Sequence, residues 1–190
     1  MSTLRDLIDN KNTDKDTAHS YLDTYEALLS SKKETATAIV EVGVQHGGSI
    51  KLWRDYFVNA DIYGIDTNEI DRDCITELKK DSRVTLLIPN DGYSEKTVSL
   101  FTEKELQFDM IMDDGPHVIE LMKQFITLYL PLLKPDGVMI IEDVCSIDWI
   151  PILKDSVPEE FKQYIQVFDL RHIKDRKDDI LFVINKSLTV

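Results

Sequence analysis

Two acidic clusters, Asp113–Asp114 and Glu142–Asp143, carry the side chains of this chain that are best suited to chemistry. Each follows an apolar run that is typical of a buried β-strand. Because parallel strands end at the same edge of a sheet, we expect Asp114, Glu142 and Asp143 to lie close together. Three adjacent carboxylates raise one another's pKa unless a cation lies among them, and oxygen ligands favour a hard cation such as Mg²⁺.

His117 follows the first cluster in the segment Asp-Asp-Gly-Pro-His. An imidazole beside such a cation is suited to act as a general base. The periodicity predicts a helix over residues 117–133, so His117 would stand at a helix N-terminus. The helix N-terminus and the cation both disfavour imidazolium, which predicts a neutral ring at pH 7. The alternative for His117 is a helix-start residue with no chemical role.

Strands and helices alternate from residue 38 onward, which predicts an α/β sandwich with a mostly parallel sheet. The last two strands are joined by a charged loop at 171–179 that is too short for a helical crossover. They are therefore expected to form a C-terminal antiparallel hairpin. The seven expected strands span residues 38–42, 61–66, 84–88, 108–112, 138–141, 164–170 and 180–185.

The bulk composition is that of an ordinary globular protein, and 190 residues fit one domain. We expect an N-terminal helical cap segment at 1–35 and a sheet core at 36–190. The formal charge of −13 argues against nucleic acid and anionic membranes as partners. A polar N-terminus without a signal-peptide pattern and two cysteines predict a cytoplasmic protein with free thiols. The sequence leaves a homo-oligomer open.

The turn after the first strand predicts a nucleoside site. Gly43 and Gly47 let the backbone approach a ligand, but the spacing is not the G-x-G-x-x-G of dinucleotide sites. Asp66 ends the second strand, where a carboxylate can bind both ribose hydroxyls, and Asp91 follows the third, where it can meet an adenine amino group. Asp113 is expected either to contact the cofactor or to cap the following helix.

Several of these segments resemble a known family. Glu41–Gly43, Tyr63–Asp66 and Phe108–Asp114 resemble successive motifs of class I S-adenosylmethionine-dependent methyltransferases, which have a Rossmann-like fold. Gly43–Trp53, Asp113–His117 and Ile141–Val144 narrow the resemblance to the macrocin/mycinamicin sugar O-methyltransferases, which are also similar to cephalosporin-hydroxylase-like proteins. The resemblance covers residues 13–186 and includes an N-terminal motif made of Thr13, Asp14, Lys15, His19, Tyr21 and Tyr25.

This resemblance implies both cofactors and their ligands. S-adenosylmethionine would be bound by Glu41, Gly43, Ser49, Asp66, Asp91 and Asp113. Mg²⁺ would be held by Asp114, Glu142 and Asp143, with His117 as the base. Pro116 departs from the family, which usually has Ser there, and it removes a backbone donor next to His117.

The function implied is an S-adenosylmethionine- and Mg²⁺-dependent O-methyltransferase acting on a hydroxyl of a small molecule, with a sugar favoured by the resemblance. One alternative is a metal-dependent methyltransferase of a catechol or another phenol. A second is a non-catalytic S-adenosylmethionine-binding module, against which the complete acid set argues. A third is a nicotinamide-dependent oxidoreductase, against which the missing G-x-G-x-x-G argues.

Overall fold

A computed structural model describes residues 2–69 and 71–188. Its centre is a seven-stranded sheet in the order β3-β2-β1-β4-β5-β7-β6. The five strands from β3 to β5 run parallel, whereas β7 pairs antiparallel with both β5 and β6. The strands are β1 Ala38–Val42, β2 Asp61–Ile65, β3 Val84–Leu87, β4 Phe108–Asp113, β5 Leu133–Ile141, β6 Ile165–Asp169 and β7 Ile180–Asn185.

Helices cover both faces of this sheet, and the sheet separates the core into two apolar layers. On one side α2, α3 and α4 supply side chains such as Tyr25, Trp53 and Ile75, and on the other α5, α6 and α7 supply Phe101, Phe125 and Leu153. The α-helices are α1 Leu4–Leu7, α2 Leu22–Leu29, α3 Gly48–Tyr56, α4 Asp73–Leu78, α5 Glu95–Thr102, α6 Ile119–Tyr129, α7 Trp149–Ser156 and α8 Arg171–Lys174, with 3-10 turns at Ser30–Lys32, Leu130–Leu132 and Glu159–Tyr164.

The central strands are buried on both faces because helices cover both faces. Every residue of β1, β4 and β7 is buried. This explains why these strands appear in the sequence as mostly apolar runs rather than as alternating patterns. The carboxyl ends of the parallel strands β4 and β5, where the two acidic clusters lie, are thereby held at one edge of the sheet.

The predicted α/β fold with its antiparallel C-terminal hairpin is confirmed, but several boundaries differ. The helix expected over 117–133 is shorter: α6 begins at Ile119 after the N-cap Val118, and a 3-10 turn containing Pro131 follows it. His117 therefore precedes the helix and has φ of 55°, a left-handed conformation. The charged loop at 171–179 contains α8.

The N-terminal segment, which includes α1 and α2, packs against α3. Leu4, Tyr21 and Leu29 belong to the same apolar cluster as Trp53. Lys15 is 1% exposed although its neighbours in sequence are polar. Across the described part of the chain, each helix is too short or too polar to cross a membrane.

Candidate active site

A cavity of about 600 Å³ opens at the carboxyl ends of β1, β2 and β4. This is the edge where open α/β sheets bind ligands, and the volume suits a nucleoside-sized molecule. The loops after β1, β2, β3 and β4 form most of its wall, and residues 12–14 of the N-terminal segment complete it. Of the predicted site residues, the wall includes Gly43, Ser49, Asp66, Asp91, Asp114, His117 and Asp143.

Gly43 allows the loops after β1 and β4 to approach each other. Its φ is +97°, and a Cβ added there would lie 1.9 Å from the backbone oxygen of Asp114. The backbone N–H of Asp114 in turn donates to the carbonyl of Val42 at 2.8 Å. A side chain at position 43 would therefore displace the loop that carries Asp114 into the cavity.

Asp66 organises the turn after β1. Its Oδ2 accepts hydrogen bonds from the backbone N–H groups of Val44 and Gln45, each at 2.9 Å, and its Oδ1 accepts from the N–H of Asn68. Asp91 similarly accepts from the N–H of Tyr93 at 2.9 Å. Both carboxylates lie on the cavity wall. Ribose binding by Asp66 and adenine binding by Asp91 stay predictions.

Glu41 and Asp113 were predicted to bind the cofactor, but they lie behind the cavity wall. Glu41 is 0% exposed, and its Oε2 accepts from the indole N–H of Trp53 at 3.0 Å. Asp113 is 3% exposed and accepts from the Tyr93 hydroxyl. Both side chains are enclosed because β1 and β4 are covered on both faces. Neither residue lines the cavity, and cofactor binding by both stays a prediction.

Asp113 should make the stability of the protein depend on pH. Burial raises its pKa to about 7. Between the unfolded pKa near 3.8 and this folded value, the folded state binds a proton that the unfolded state does not, so stability falls as the pH rises through that window. One proton contributes a slope approaching about 1.4 kcal/mol per pH unit. Asp113→Asn should flatten the slope between pH 5 and 7 in urea unfolding, whereas the exposed Asp155→Asn should not. Identical slopes in all three proteins would contradict this assignment.

Asp114, His117 and Asp143 meet at the rim of the cavity. One ligand atom from each lies within 4.8 Å of the others. The His117 Nε2 is 3.4 Å from the Asp143 Oδ2. Burial, together with the charge of Asp114, raises the pKa of Asp143 despite the nearby histidines. The carboxylates of Asp114 and Asp143 are suited to a divalent cation, since a cation would relieve the repulsion between their charges.

The outer oxygen of Asp143 is left available because other groups hold the inner one. The Tyr21 hydroxyl donates to Asp143 Oδ1, and His19 Nδ1 lies 3.2 Å from the same oxygen. His19 Nδ1 is also 2.7 Å from Oδ1 of the fully buried Asp179. Burial opposes protonation of His19, but Asp14, Asp143 and Asp179 outweigh it and raise the His19 pKa. The N-terminal segment thus orients Asp143 toward the cavity.

Glu142, which was predicted as a third metal ligand, is paired with Lys15 in the structure. The Lys15 Nζ lies 2.6 and 2.8 Å from its two oxygens, and Tyr25 also donates to it. The same Nζ lies 2.6 Å from Asp114 Oδ2. Burial disfavours the charged lysine, yet Asp114, Glu142 and Glu41 hold the pKa of Lys15 well above its ordinary value. An ammonium therefore lies between Asp114 and Glu142, two of the three predicted metal ligands, and metal binding by Glu142 stays a prediction.

The role of Lys15 was missed by sequence reasoning, although its segment was recognised as a motif. A lysine in a polar N-terminal stretch is ordinarily solvated. Only the fold shows that the segment crosses the carboxyl ends of the strands and buries this side chain. His19, Tyr21 and Tyr25 belong to the same N-terminal motif, and in the structure they contact Asp143 and Glu142.

Sheet order, antiparallel β7 and a cavity at the carboxyl ends of the first strands define a class I methyltransferase fold. The family model described as "Methyltransferase domain" matches residues 40–144. The chain belongs to this methyltransferase domain family.

Curated relatives are sugar O-methyltransferases. The chain is 27% identical over 145 residues to the 8-demethyl-8-alpha-L-rhamnosyl tetracenomycin-C 2'-O-methyltransferase of Streptomyces olivaceus, with 72% of this chain and 36% of that protein covered. It is 24% identical over 149 residues to the mycinamicin VI 2''-O-methyltransferase of Micromonospora griseorubida, with 75% and 36% covered. The chain thus spans about a third of the length of these relatives.

Solved structures agree on the fold. The MycE methyltransferase of the mycinamycin biosynthetic pathway, in complex with Mg, SAH and mycinamycin VI, aligns with a TM-score of 0.68 at 19% identity, covering 89% of this chain and 49% of that one. CalS11, a TDP-rhamnose 3'-O-methyltransferase, aligns with a TM-score of 0.58 at 15% identity, covering 85% and 76%.

Proposed function

We propose that this protein is an S-adenosylmethionine-dependent O-methyltransferase that uses a divalent cation, Mg²⁺, and acts on a hydroxyl of a small, sugar-like molecule. The observation that carries the proposal is the junction of a nucleoside-sized cavity with the Asp114–His117–Asp143 rim. A cofactor in the cavity and a hydroxyl at the rim would be neighbours. The family match and the sugar O-methyltransferases among the relatives support the same activity.

The cavity fits the cofactor at several points. Gly43 and Ser49 lie on the wall after β1, where the methionine end would be bound, and Asp66 and Asp91 lie after β2 and β3, where the ribose and adenine would be bound. Asp66 is already fixed by three backbone donors, so its remaining lone pairs have a defined direction. Glu41 and Asp113 would act from behind, by holding the walls in place.

The rim fits a divalent cation held by Asp114 and Asp143. Both carboxylates are partly desolvated, and the inner oxygen of each already accepts a hydrogen bond, from Lys15 and Tyr21 respectively. Two protein oxygens would leave several coordination positions for water and substrate, which is the usual arrangement for Mg²⁺. Glu142 as a third ligand stays a prediction that requires Lys15 to move.

The cofactor supplies an electrophilic methyl group, and a divalent cation lowers the pKa of a nearby hydroxyl. The residues of this chain would supply position and proton transfer. His117, at the rim and 31% exposed, would accept the hydroxyl proton through Nε2. Asp143, 3.4 Å from that nitrogen, would stabilise the imidazolium formed. The cavity wall would align the acceptor oxygen with the methyl group.

The wall composition favours a sugar over a phenol as the acceptor. Tyr93 is the single Phe, Tyr or Trp among the described residues that line the cavity, and its hydroxyl is bonded to Asp113. A phenol site would be expected to present aromatic faces near the rim. A vicinal diol needs mainly polar groups, which Asp114, His117 and Asp143 provide.

The proposed activity can be tested by following S-adenosylhomocysteine release with Mg²⁺ present. Methyl α-L-rhamnopyranoside provides a vicinal diol, catechol provides a phenol of similar size, and an acceptor-free reaction gives the background. We expect turnover with the rhamnoside that exceeds both catechol and background. Turnover with catechol but not with the rhamnoside would mean that the acceptor is a phenol and not a sugar. Cofactor binding without turnover on a wide panel of hydroxyl compounds would favour a non-catalytic binding module.

Asp66 should contribute directly to cofactor affinity. Asp66→Ala should weaken binding of S-adenosylhomocysteine by roughly 1–3 kcal/mol, the loss typical of hydrogen bonds to a charged group. Titration calorimetry measures the effect, and Asp66→Asn, which preserves side-chain shape, separates the lost charge from a disordered turn. Asp61→Ala, at the exposed opposite end of β2, is the matched control. If a folded Asp66→Ala protein binds S-adenosylhomocysteine with parental affinity, Asp66 does not contact the cofactor.

A further inference from the structure

The Lys15 ammonium lies at the inner corner of the acidic site. Its Nζ is 2.6 Å from Asp114 Oδ2, 2.6 Å from Glu142 Oε2 and 3.7 Å from Glu41 Oε1. The side chains of Lys15, Glu41 and Glu142 are each at most 2% exposed. Solvent therefore cannot stabilise charge on these carboxylates, and Lys15 is the cation that pairs with them.

The acidic site consequently has two corners with different occupants. The inner corner, formed by Glu41, Glu142 and the inner oxygen of Asp114, is filled by Lys15. The outer corner, between Asp114 and Asp143, faces the cavity beside His117. Asp114 is shared by both corners, so a charge at one corner changes the affinity of the other.

We propose that Lys15 is the resident cation of this acidic site, which excludes a divalent ion from the inner corner and weakens its binding at the outer one. This inference rests on the proposed function in one respect: the metal at the outer corner is part of that proposal. An ammonium a few ångströms from a divalent ion repels it, and the repulsion is large where water is excluded. Lys15 would thereby keep Glu142 away from the metal and keep the metal exchangeable.

Lys15→Met tests the proposal because methionine preserves an unbranched apolar stem and removes the charge. The matched control is Lys32→Met: Lys32 is also buried, 4% exposed, but its partner is Asp136, which is not part of the acidic site. Mn²⁺ serves as the probe ion, followed by electron paramagnetic resonance and calorimetry. Thermal unfolding is recorded in EDTA and in millimolar Mn²⁺.

We expect Lys15→Met to bind Mn²⁺ at least about tenfold more tightly than the parent, since the repelling charge is gone. It should unfold at a lower temperature than the parent in EDTA, and Mn²⁺ should restore most of that loss. Lys32→Met should show the parental Mn²⁺ affinity and no rescue. Adding Glu142→Gln to Lys15→Met should restore stability in EDTA by removing the uncompensated charge.

The outcomes separate this inference from the proposed function. Binding of Mn²⁺ to Lys15→Met but not to the parent would support Lys15 as the resident cation and overturn metal dependence of the parent enzyme. Parental Mn²⁺ affinity in Lys15→Met, with a loss of stability that Mn²⁺ does not rescue, would overturn the inference and leave the methyltransferase proposal standing. If Lys15→Met does not fold, the double variant with Glu142→Gln answers the same question: Mn²⁺ affinity no tighter than that of the parent would overturn the inference.

Discussion

Replacing His117 by Ala should lower methyl transfer by about 10²–10⁴-fold, the usual contribution of a positioned general base. The ring lies at the cavity rim, is 31% exposed, and has its Nε2 3.4 Å from Asp143 Oδ2. Folding and S-adenosylhomocysteine affinity should therefore stay nearly parental. Steady-state release of S-adenosylhomocysteine with the rhamnoside acceptor measures the loss.

The conformation of His117 calls for a second variant. With φ of 55° the position is left-handed, which Asn adopts more readily than Ala, so His117→Asn removes the base with less backbone strain. His172→Ala, in the exposed part of α8, is the control for loss of a histidine. A parental rate in both His117 variants would mean that the metal alone activates the hydroxyl, and His117 would then have no catalytic role.

Removal of the metal site should abolish activity. Asp143→Asn should weaken divalent-ion binding by at least about 100-fold, since even groups that only orient a ligand contribute up to this much. EDTA should abolish turnover in the parent enzyme, and added Mg²⁺ should restore it. Mn²⁺ titration monitored by paramagnetic resonance, together with turnover, measures both effects.

A control variant and a control ligand show whether the effect of Asp143→Asn is confined to metal binding. Asp148→Asn changes an exposed acid that follows the same strand and should leave Mn²⁺ binding unchanged. S-adenosylhomocysteine affinity of Asp143→Asn should stay within a few-fold of the parent, because the cofactor end of the cavity lies at Gly43, Asp66 and Asp91. Full activity in EDTA would contradict a metal-dependent mechanism and leave His117 as the sole activating group.

Much of the fold could be predicted because its signals are local. Buried strands such as Ala38–Val42 and Ile180–Asn185 appear as mostly apolar runs, and the loop between the last two strands is too short for a parallel crossover. The position of β7 between β5 and β6 is not visible in this way. It depends on which sheet edge β7 joins, and that choice is a tertiary one.

The sequence predicts which strand ends carry the acidic residues of the site, but not which way each side chain points. Strand order brings Asp114 and Asp143 together, as their positions after β4 and β5 implied. Which way each side chain points depends on partners far away in the sequence. Glu142 faces Lys15 from across 127 residues, and the hydroxyl of Tyr93 holds Asp113 behind the wall. Contacts at such separation leave no periodic pattern in the chain.

Titration calorimetry with nucleotide ligands tests the central claim, that the cavity is an S-adenosylmethionine site, most directly. S-adenosylhomocysteine and NAD would each be titrated into the parent protein, with and without Mg²⁺. The account predicts that S-adenosylhomocysteine binds at one site per chain, that Asp66→Ala weakens this binding, and that NAD does not bind. Tight binding of NAD, or no heat of binding with S-adenosylhomocysteine under either condition, would contradict it.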